Sequence, residues 1–453
     1  NQSANTTVSF ANTSAAMDVT IIRKPSADTT ISWPDSVKWD GGSAPTLLNG
    51  NDSDDAQQFQ FLTRDSGVTW YAWEPYSFDA PYMGLFGWGF NDKGMLGQNN
   101  SGVSLSSPTQ VGTEFGVWRS TSQGFTNDAV GTDRHVLATK TDGTLWSWGY
   151  GYNGSLGLNV GAGPGPKISS PVQVGTDTTW GTHQTIGTKQ GASLKTDGTL
   201  WTWGNNDHGN LGINTPNSDD RSSPAQVPGT TWSWIEFGDC VMTLKTNGTL
   251  WSWGYNNRGS LGQNSRVRYS SPVQVPGTTW ATSSAGVYHV AATKTDGTLW
   301  AWGDDSYGAL AQDPSDVRRS SPNQIPGTNW ANVKAGHQNN LATKTDGTLW
   351  GWGTNNYGQL GQNNSGNPTR VSSPVQIPGT NWSTDAGGIW IGRYTALAMK
   401  TDGTLWAWGY NTYGQLAQNT SGPTASRSSP VQIPGTFSTF GGQGTFNMAI
   451  KSA

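Results

Sequence analysis

A single cysteine, Cys240, rules out an intramolecular disulfide framework in this 453-residue chain. Its setting, Phe237-Gly238-Asp239-Cys240-Val241-Met242, reads as an apolar strand with a buried, unreactive thiol. Charge is scarce too. Asp, Glu, Lys and Arg make up 12% of the residues, and a net charge of −4 supplies no field that would draw in nucleic acid. No apolar run approaches the roughly 20 residues that span a bilayer, so membrane insertion is not expected. The sequence starts at Asn1 without an initiator Met or signal peptide, which points to an upstream segment removed or left out.

Catalytic signatures are missing as well. The five histidines, His135, His183, His208, His289 and His337, include no pair at metal spacing, and neither a Gly-x-Ser-x-Gly elbow nor a phosphate-cradling loop occurs. Asp54-Asp55, Asp219-Asp220 and Asp304-Asp305 lack the alternating oxygen spacing of a calcium loop. The expectation is a protein that is not an enzyme and that uses no cofactor and no metal.

What the chain has instead is Gly (61 residues) and Trp (25 residues) in a repeat. Trp-x-Trp-Gly ends at Trp88, Trp148, Trp203, Trp253, Trp302, Trp352 and Trp408, with Phe86 replacing the first Trp of the first copy. A spacing of 49 to 60 residues holds several strands, so each copy marks a unit that buries its faces only by stacking on its neighbours. Four strand-sized segments fit each unit. Asp-Gly at 142, 197, 296, 346 and 402, and Asn247-Gly248, predict two-residue type I′ hairpins between the second and third strands. Only six hairpins serve seven marks. Met448-Ala449-Ile450-Lys451 matches the strand before such a turn and Gly84-Leu85-Phe86-Gly87-Trp88-Gly89 the strand after one, so the last unit is completed from both ends of the array. The fold predicted is all-β: a seven-bladed β-propeller over 81–453 preceded by a small β-sandwich over 1–80.

In one stretch, Gly286, His289, Asp296, Gly297, Trp300, Trp302, Gly303, Tyr307, Gly308, Leu310, Ser321 and Pro322 resemble the repeats of the regulator of chromosome condensation family. The resemblance runs from about residue 82 to residue 453. It implies a propeller but no single activity, because the family's members include exchange factors, enzyme inhibitors and bacterial or viral surface proteins. His135 and His289 hold its repeat position, where a hydrogen-bonded structural histidine is expected.

The first eighty residues differ in texture. Runs at Thr7-Val8-Ser9-Phe10, Asp18-Val19-Thr20-Ile21-Ile22, Thr30-Ile31-Ser32-Trp33, Ser36-Val37-Lys38-Trp39, Phe59-Gln60-Phe61-Leu62 and Val68-Thr69-Trp70-Tyr71-Ala72-Trp73 read as half-buried antiparallel strands, and Pro75 and Pro81 bracket a linker. The order Trp33-Pro34, Val37-Lys38-Trp39-x-Gly41-Gly42-x-Ala44-Pro45-Thr46, then Phe59-x-Phe61-x-Thr63-x-Asp65-x-Gly67-x-Thr69-Trp70-Tyr71, resembles a small β domain of tailed-phage fibre and virion proteins. That resemblance implies a mounting or oligomerising role.

Candidate binding residues fall into two sets. Residues i and i+2 of a strand share a face, so the paired Trp of each copy are expected to pack between blades. Trp180, Trp232, Trp280, Trp330 and Trp382 recur after Pro-Gly-Thr or its variant, whereas Trp118, Trp234 and Trp390 stand where other repeats lack Trp and are the aromatic contact candidates. The second set is basic. Lys167, Arg221, Arg268, Arg319, Arg370 and Arg427 stand just before the Ser-Ser-Pro element, so closure puts six cations on one rim, where they either brace their own loops or hold anionic glycans or phosphates. Lys140, Lys195, Lys245, Lys294, Lys344, Lys400 and Lys451 also repeat, and pairing across the turn with the hairpin Asp is the expectation.

These readings converge on a non-enzymatic virion protein at the particle surface or in extracellular space. Residues 1–80 bind other virion proteins, with homo-oligomerisation an option, while the propeller adheres to a host-surface glycan or protein through its variable loops. The alternative is a secreted binding propeller similar to the propeller inhibitors of β-lactamase, favoured if Trp118, Trp234 and Trp390 cluster on one face.

Overall fold

The computed structural model describes residues 84–112, 117–121, 123–124, 135–161, 163, 165–215, 218–312, 318–364, 370–442 and 445–451, and five short strands before them. The chain divides into two compact units, Asn1–Pro81 and Tyr82–Ala453. In the first unit Thr6–Thr7 pairs with Ile31–Ser32, and Trp70–Trp73 is the middle of a three-stranded sheet between Val37–Trp39 and Gln60–Thr63. Two of these three pairings are parallel, contrary to the antiparallel expectation. Six residues separate Gln60–Thr63 from its antiparallel partner, whereas thirty separate Val37–Trp39 from its parallel one, a length that permits the parallel direction. The strand expected at 18–22, and Pro75 and Pro81, lie outside the described residues.

The second unit is built almost wholly of antiparallel strands, in four sheets of four strands, one of five and one of seven. One repeat shows the plan: Trp280–Ala285, His289–Lys294, Leu299–Gly303 and Arg319–Ile325 form a meander in chain order. The hairpin between its second and third strands differs from the expected type I′ turn. Gly297 N donates to Lys294 O at 2.9 Å, and only Gly297 has positive φ, +77°, so a type I turn is followed by a left-handed Gly in a three-residue loop. Asp296 stays at negative φ because its Oδ1 accepts from both the amide and the hydroxyl of Thr298. The same hydroxyl accepts from Trp300 Nε1 at 2.8 Å. The Thr298 donors hold Asp296 below the usual carboxylate range, and Asp142, Asp197, Asp346 and Asp402 repeat the arrangement.

Among the described residues no ion pair is found between Lys195, Lys294, Lys344 or Lys400 and its hairpin aspartate, although the charge of each helps to lower that carboxyl. Lys140, Lys195, Lys245, Lys294, Lys344 and Lys400 each place Nζ 4.1 to 5.2 Å from the centroids of two Trp rings, the first-strand Trp and the first Trp of Trp-x-Trp-Gly. Two ring faces thus hold each ammonium. Lys195 also bonds an aspartate, Asp177, outside the hairpin.

Sheets are joined through the second Trp of each copy. Trp88, Trp148, Trp203, Trp253, Trp302, Trp352 and Trp408 are fully buried, and every indole N–H donates at 2.8 to 3.0 Å to a carbonyl in the preceding sheet's loop. In the same loop stands a Gly at φ +73° to +82°, of which Gly308 is one. A Cβ there would sit 2.6 to 2.8 Å from the Cα of the next sheet's Ser. The apolar clusters between sheets are mixed accordingly: Cys240, Met242 and Leu261 pack with Ala285, Val290 and Trp302 of the following sheet. Burial pushes the Cys240 thiol up, out of reactive range.

The ends of the array pair with each other. Arg427–Gly442 pairs first with Thr404–Gly409 and then with Phe446–Lys451, which lies antiparallel to Gly84–Gly89 from Phe446↔Gly89 to Lys451↔Gly84. Trp88 then donates to Gln415 O at 3.0 Å, and Gly414 abuts Ser106, so the seam carries the same contacts as every other junction.

Replacing Trp302 by Phe leaves the buried Ser260 carbonyl with only the weak Cys240 thiol as donor, at 3.7 Å. It is expected to cost about 2 kcal/mol or more in urea unfolding, whereas Trp300→Phe, at a half-buried hairpin, costs less. His135 and His289 are buried, and burial lowers both to about 4. The unfolded chain therefore binds more protons below pH 6.5. These residues contribute fully above that pH, and their contribution is lost as pH falls from 6.5 to 4, by roughly 3 kcal/mol each at pH 4. Replacing either with Asn flattens that part of the curve.

Candidate functional site

In an up-and-down meander the turn from first to second strand and the loop from third to fourth leave the sheet at the same end. One end of the ring thus gathers turns such as 286–288, 336–338 and 392–394 with the loops that follow each Trp-x-Trp-Gly. The Asp-Gly hairpins occupy the other end. On the loop face, residues flanking the clamped loop backbone are aromatic or charged: Phe90, Tyr150, Tyr255, Asp304 and Tyr410 follow the Trp-x-Trp-Gly, while Lys93, His208, Arg258, Tyr307, Tyr357 and Tyr413 precede the loop Gly.

These side chains meet. Phe90 and Tyr413 have centroids 4.6 Å apart, Tyr357 lies 4.8 Å from Tyr394 and 5.0 Å from Tyr410, and the Arg393 guanidinium sits 5.0 Å above Tyr394. Farther round, Arg258 stacks 3.9 Å above Tyr288, which meets His337 edge-on at 5.3 Å. Tyr307 and Tyr357 are 43% and 39% exposed, and Val103, Val160 and Val267, in the loops, are exposed as well. Reading the sequence alone missed this set, because Tyr-Gly was taken as repeat signature. The signal was the alternation of Tyr with His, Arg and Lys at one position.

The aromatic candidates are placed otherwise than expected. Trp118 is buried and pairs with Lys140 as Trp180 pairs with Lys195, Trp280 with Lys294 and Trp330 with Lys344, so it is the repeat's own first-strand Trp behind a different lead-in. Trp390 is 1% exposed and packs among Trp88, Leu397 and Phe440, its ring against the Cα of Gly442, where a Cβ would lie 2.2 Å from it. Neither offers a face to a ligand, which corrects the expectation that both are contacts. Trp234 is half-buried in the central channel, 5.6 Å from the His183 ring, so the three do not cluster.

The basic set stands at the loop-face ends of the fourth strands, and most of its contacts brace loops. Arg221 pairs with Asp219 at 2.6 Å, Arg427 donates to Ala425 O and Ser426 O, and Arg370 donates to Ser306 O of the preceding sheet's loop. Arg268 holds Asn257 Oδ1 and His208 Nδ1 and stacks 4.6 Å above Tyr255. Arg319 faces Gly303 in register and is half-buried, while Lys167 is exposed opposite Tyr150.

The acidic pairs serve the same loops. Asp304 accepts from Arg258 and Arg318, Asp305 accepts the Leu310 amide, and Asp220 accepts from Asn153 and Asn206. Asp54 and Asp55 lie outside the described residues. Among the described residues no three His, Cys, Asp or Glu side chains gather closely enough to hold a metal ion.

A cleft of about 390 Å³ opens on the loop face between Lys189, Asp207, His208, Asn210, Asp239 and Tyr255. Burial raises the Asp239 carboxyl to about 7, against the pull of Arg258, while burial and Arg268 lower His208. A carboxyl-detected titration is expected to find Asp239 with a midpoint near pH 7, and Arg258→Met moves that midpoint upward by removing the opposing charge.

The sequence model of a family described as RCC1-like domain matches residues 181–451. Among solved structures, yeast RCC1 (Prp20), determined with Kap60, is 16% identical over 82% of this chain and 89% of that one, with a TM-score of 0.69. Human WBSCR16 is 18% identical over 82% and 99%, with a TM-score of 0.68. Prp20p of Saccharomyces cerevisiae, studied for its binding to Gsp1p and histones, is 16% identical over 83% and 92%, with a TM-score of 0.69. At these identities the likeness concerns the fold. No curated protein matches.

Proposed function

The chain belongs to the family of RCC1-like domains, and from that premise we propose that it is a non-enzymatic binding propeller that grips a partner across its loop face. The observation that carries this reading is the stacked group Phe90, Tyr357, Tyr394, Tyr410 and Tyr413 with Arg393 above Tyr394, while exposed Tyr307 holds the same position in the preceding sheet's loop. Tyr and Arg are the residues in which binding energy concentrates. Here their rings are held by one another, so little side-chain entropy remains to be lost on contact. Arg268, stacked on Tyr255, and exposed Lys167, Arg370 and Arg427 extend the face with cations suited to an acidic glycan or protein.

We read the ring as seven blades, with the seven-stranded sheet counted as two joined by Arg427–Gly442, and residues 1–80 as a β-sandwich mount. The finer reading is a virion surface protein of a tailed phage that adheres to a host-surface glycan or protein. It is supported by the pattern from Trp33 to Tyr71 and by the low charge of the whole chain. A secreted binding propeller is the second reading, and the tyrosine face supports it equally.

The test is binding of the purified chain to candidate host cells, together with protection of those cells from infection. Saturable binding is expected, with a loss of about tenfold or more in Tyr307→Ser/Tyr357→Ser. If the chain neither binds the cells nor blocks infection, the adhesion reading fails. If it binds and the double variant binds equally well, the loop face is not the gripping surface.

A further inference from the structure

The first strands line the central channel, and here the chain abandons its repeat. At one level, matched by pairing register, stand Thr185, Glu236, Ser284, Lys334, Trp390 and Gly441. Lys334 and Glu236, two sheets apart, form an ion pair at 2.9 Å with side chains 7% and 4% exposed. Ser284 Oγ donates to the same carboxylate oxygen, Oε1, at 3.2 Å. Glu236 Oε2 is buried and has no hydrogen-bond partner. An orphaned acceptor of this kind costs free energy unless something donates to it.

This carboxylate lines a cavity of about 140 Å³ with Thr182, His183, Trp234, Lys334 and Thr439. Thr182 and Ala386 of its lining are exposed, whereas Gln184, Thr185 and Glu236 are buried. The cavity therefore opens toward the starts of the first strands, at the hairpin end of the ring and away from the tyrosine face. Its wall is aromatic: the His183 and Trp234 rings lie 5.6 Å apart. His183 Nε2 donates to Ile235 O at 3.0 Å, and burial lowers this histidine to about 4, so it is neutral at pH 7 with Nδ1 left as an acceptor.

The charges restrict what fits. A cation reaching Oε2 meets Lys334, an anion reaching Lys334 meets Glu236, and an apolar molecule leaves Oε2 orphaned. A neutral ring with several hydroxyl donors and an apolar C–H face satisfies the carboxylate and the indole together. We propose that the channel cavity binds one neutral pyranose residue, stacked on Trp234 with a hydroxyl donating to Glu236 Oε2. The volume admits one edge of a single ring, and the rest of that ring stands in the mouth.

The test uses the full chain, titrated by calorimetry and by saturation-transfer NMR with glucose, galactose, mannose and N-acetylglucosamine, with glucosamine and glucuronate as charged comparators. The expected result is saturable millimolar binding of at least one neutral sugar. Glu236→Gln weakens it about tenfold, and Trp234→Ala, which leaves the ion pair in place, does so at least as much. Should Glu236→Gln fail to fold, the paired change Glu236→Met/Lys334→Met removes both charges and still abolishes binding. Tyr307→Ser/Tyr357→Ser leaves it unchanged, which separates this site from the loop face. Absence of binding by all four neutral sugars, stronger binding of either charged comparator, or unaltered affinity in Trp234→Ala overturns the proposal.

Discussion

One hydrogen bond, repeated at each junction, holds the propeller: the indole N–H of the second Trp in Trp-x-Trp-Gly donates to a carbonyl in the loop of the preceding sheet. The bond lies in a fully buried setting, where neither partner can turn to water. The loop's left-handed Gly then presses on the Cα of the next sheet's Ser, a contact with no room for a side chain. Each loop is thereby clamped to its neighbour by one indole side chain and by close backbone contact at its Gly. The repeat keeps Trp, Gly and Ser because each meets the other side at a distance that a larger or non-donating residue cannot reach.

That clamp explains where variation collects. Tyr307 and Tyr357 stand immediately before their clamped Gly, as do His208 and Arg258 in other sheets, so the position is fixed while the side chain is not. A rigid backbone that presents interchangeable aromatic and cationic groups suits recognition, because the groups need little ordering on contact. The basic residues before Ser-Ser-Pro belong to the same economy. Arg221 and Arg427 spend their donors on their own loops and Arg370 on its neighbour's, and Arg268 is tied to Asn257 while its guanidinium covers Tyr255.

The repeat was legible in the sequence because it is written in residues whose geometry is demanding: Trp with a buried donor, Gly at positive φ, and Pro within the fourth strand. The pairing of Phe446–Lys451 with Gly84–Gly89 was visible from the matching half-hairpins at the two ends. What stayed hidden depended on partners distant in the chain. The lysines looked like turn partners of Asp because the two Trp rings that flank Lys294 come from Trp280 and Trp300, on different strands. Trp118 looked exceptional because it lacks the Pro-Gly-Thr lead-in, although its register with Lys140 makes it ordinary. The hairpin type was misread because Asp-Gly alone does not reveal that Thr298 pulls Asp296 to negative φ.

The channel was illegible for a different reason. The third and fourth strands and the loops between them carry the Trp, Gly and Ser that join the sheets, so these positions are constrained alike in every repeat. The first strand contributes its Trp at one end and little else to the clamp, which leaves its far half free to differ: Thr185, Glu236, Ser284, Lys334 and Trp390 share one level while ranging from hydroxyl to carboxylate, ammonium and indole. The difference is not random in space. Glu236 and Lys334 find each other across an intervening sheet, with Ser284 of that sheet bridging them by accepting the Ala335 amide and donating to the carboxylate. A buried ion pair of this kind is a poor source of stability compared with apolar packing of similar volume. Its presence in a ring otherwise held by indoles and glycines therefore argues for a role in what enters the channel rather than in what keeps it closed.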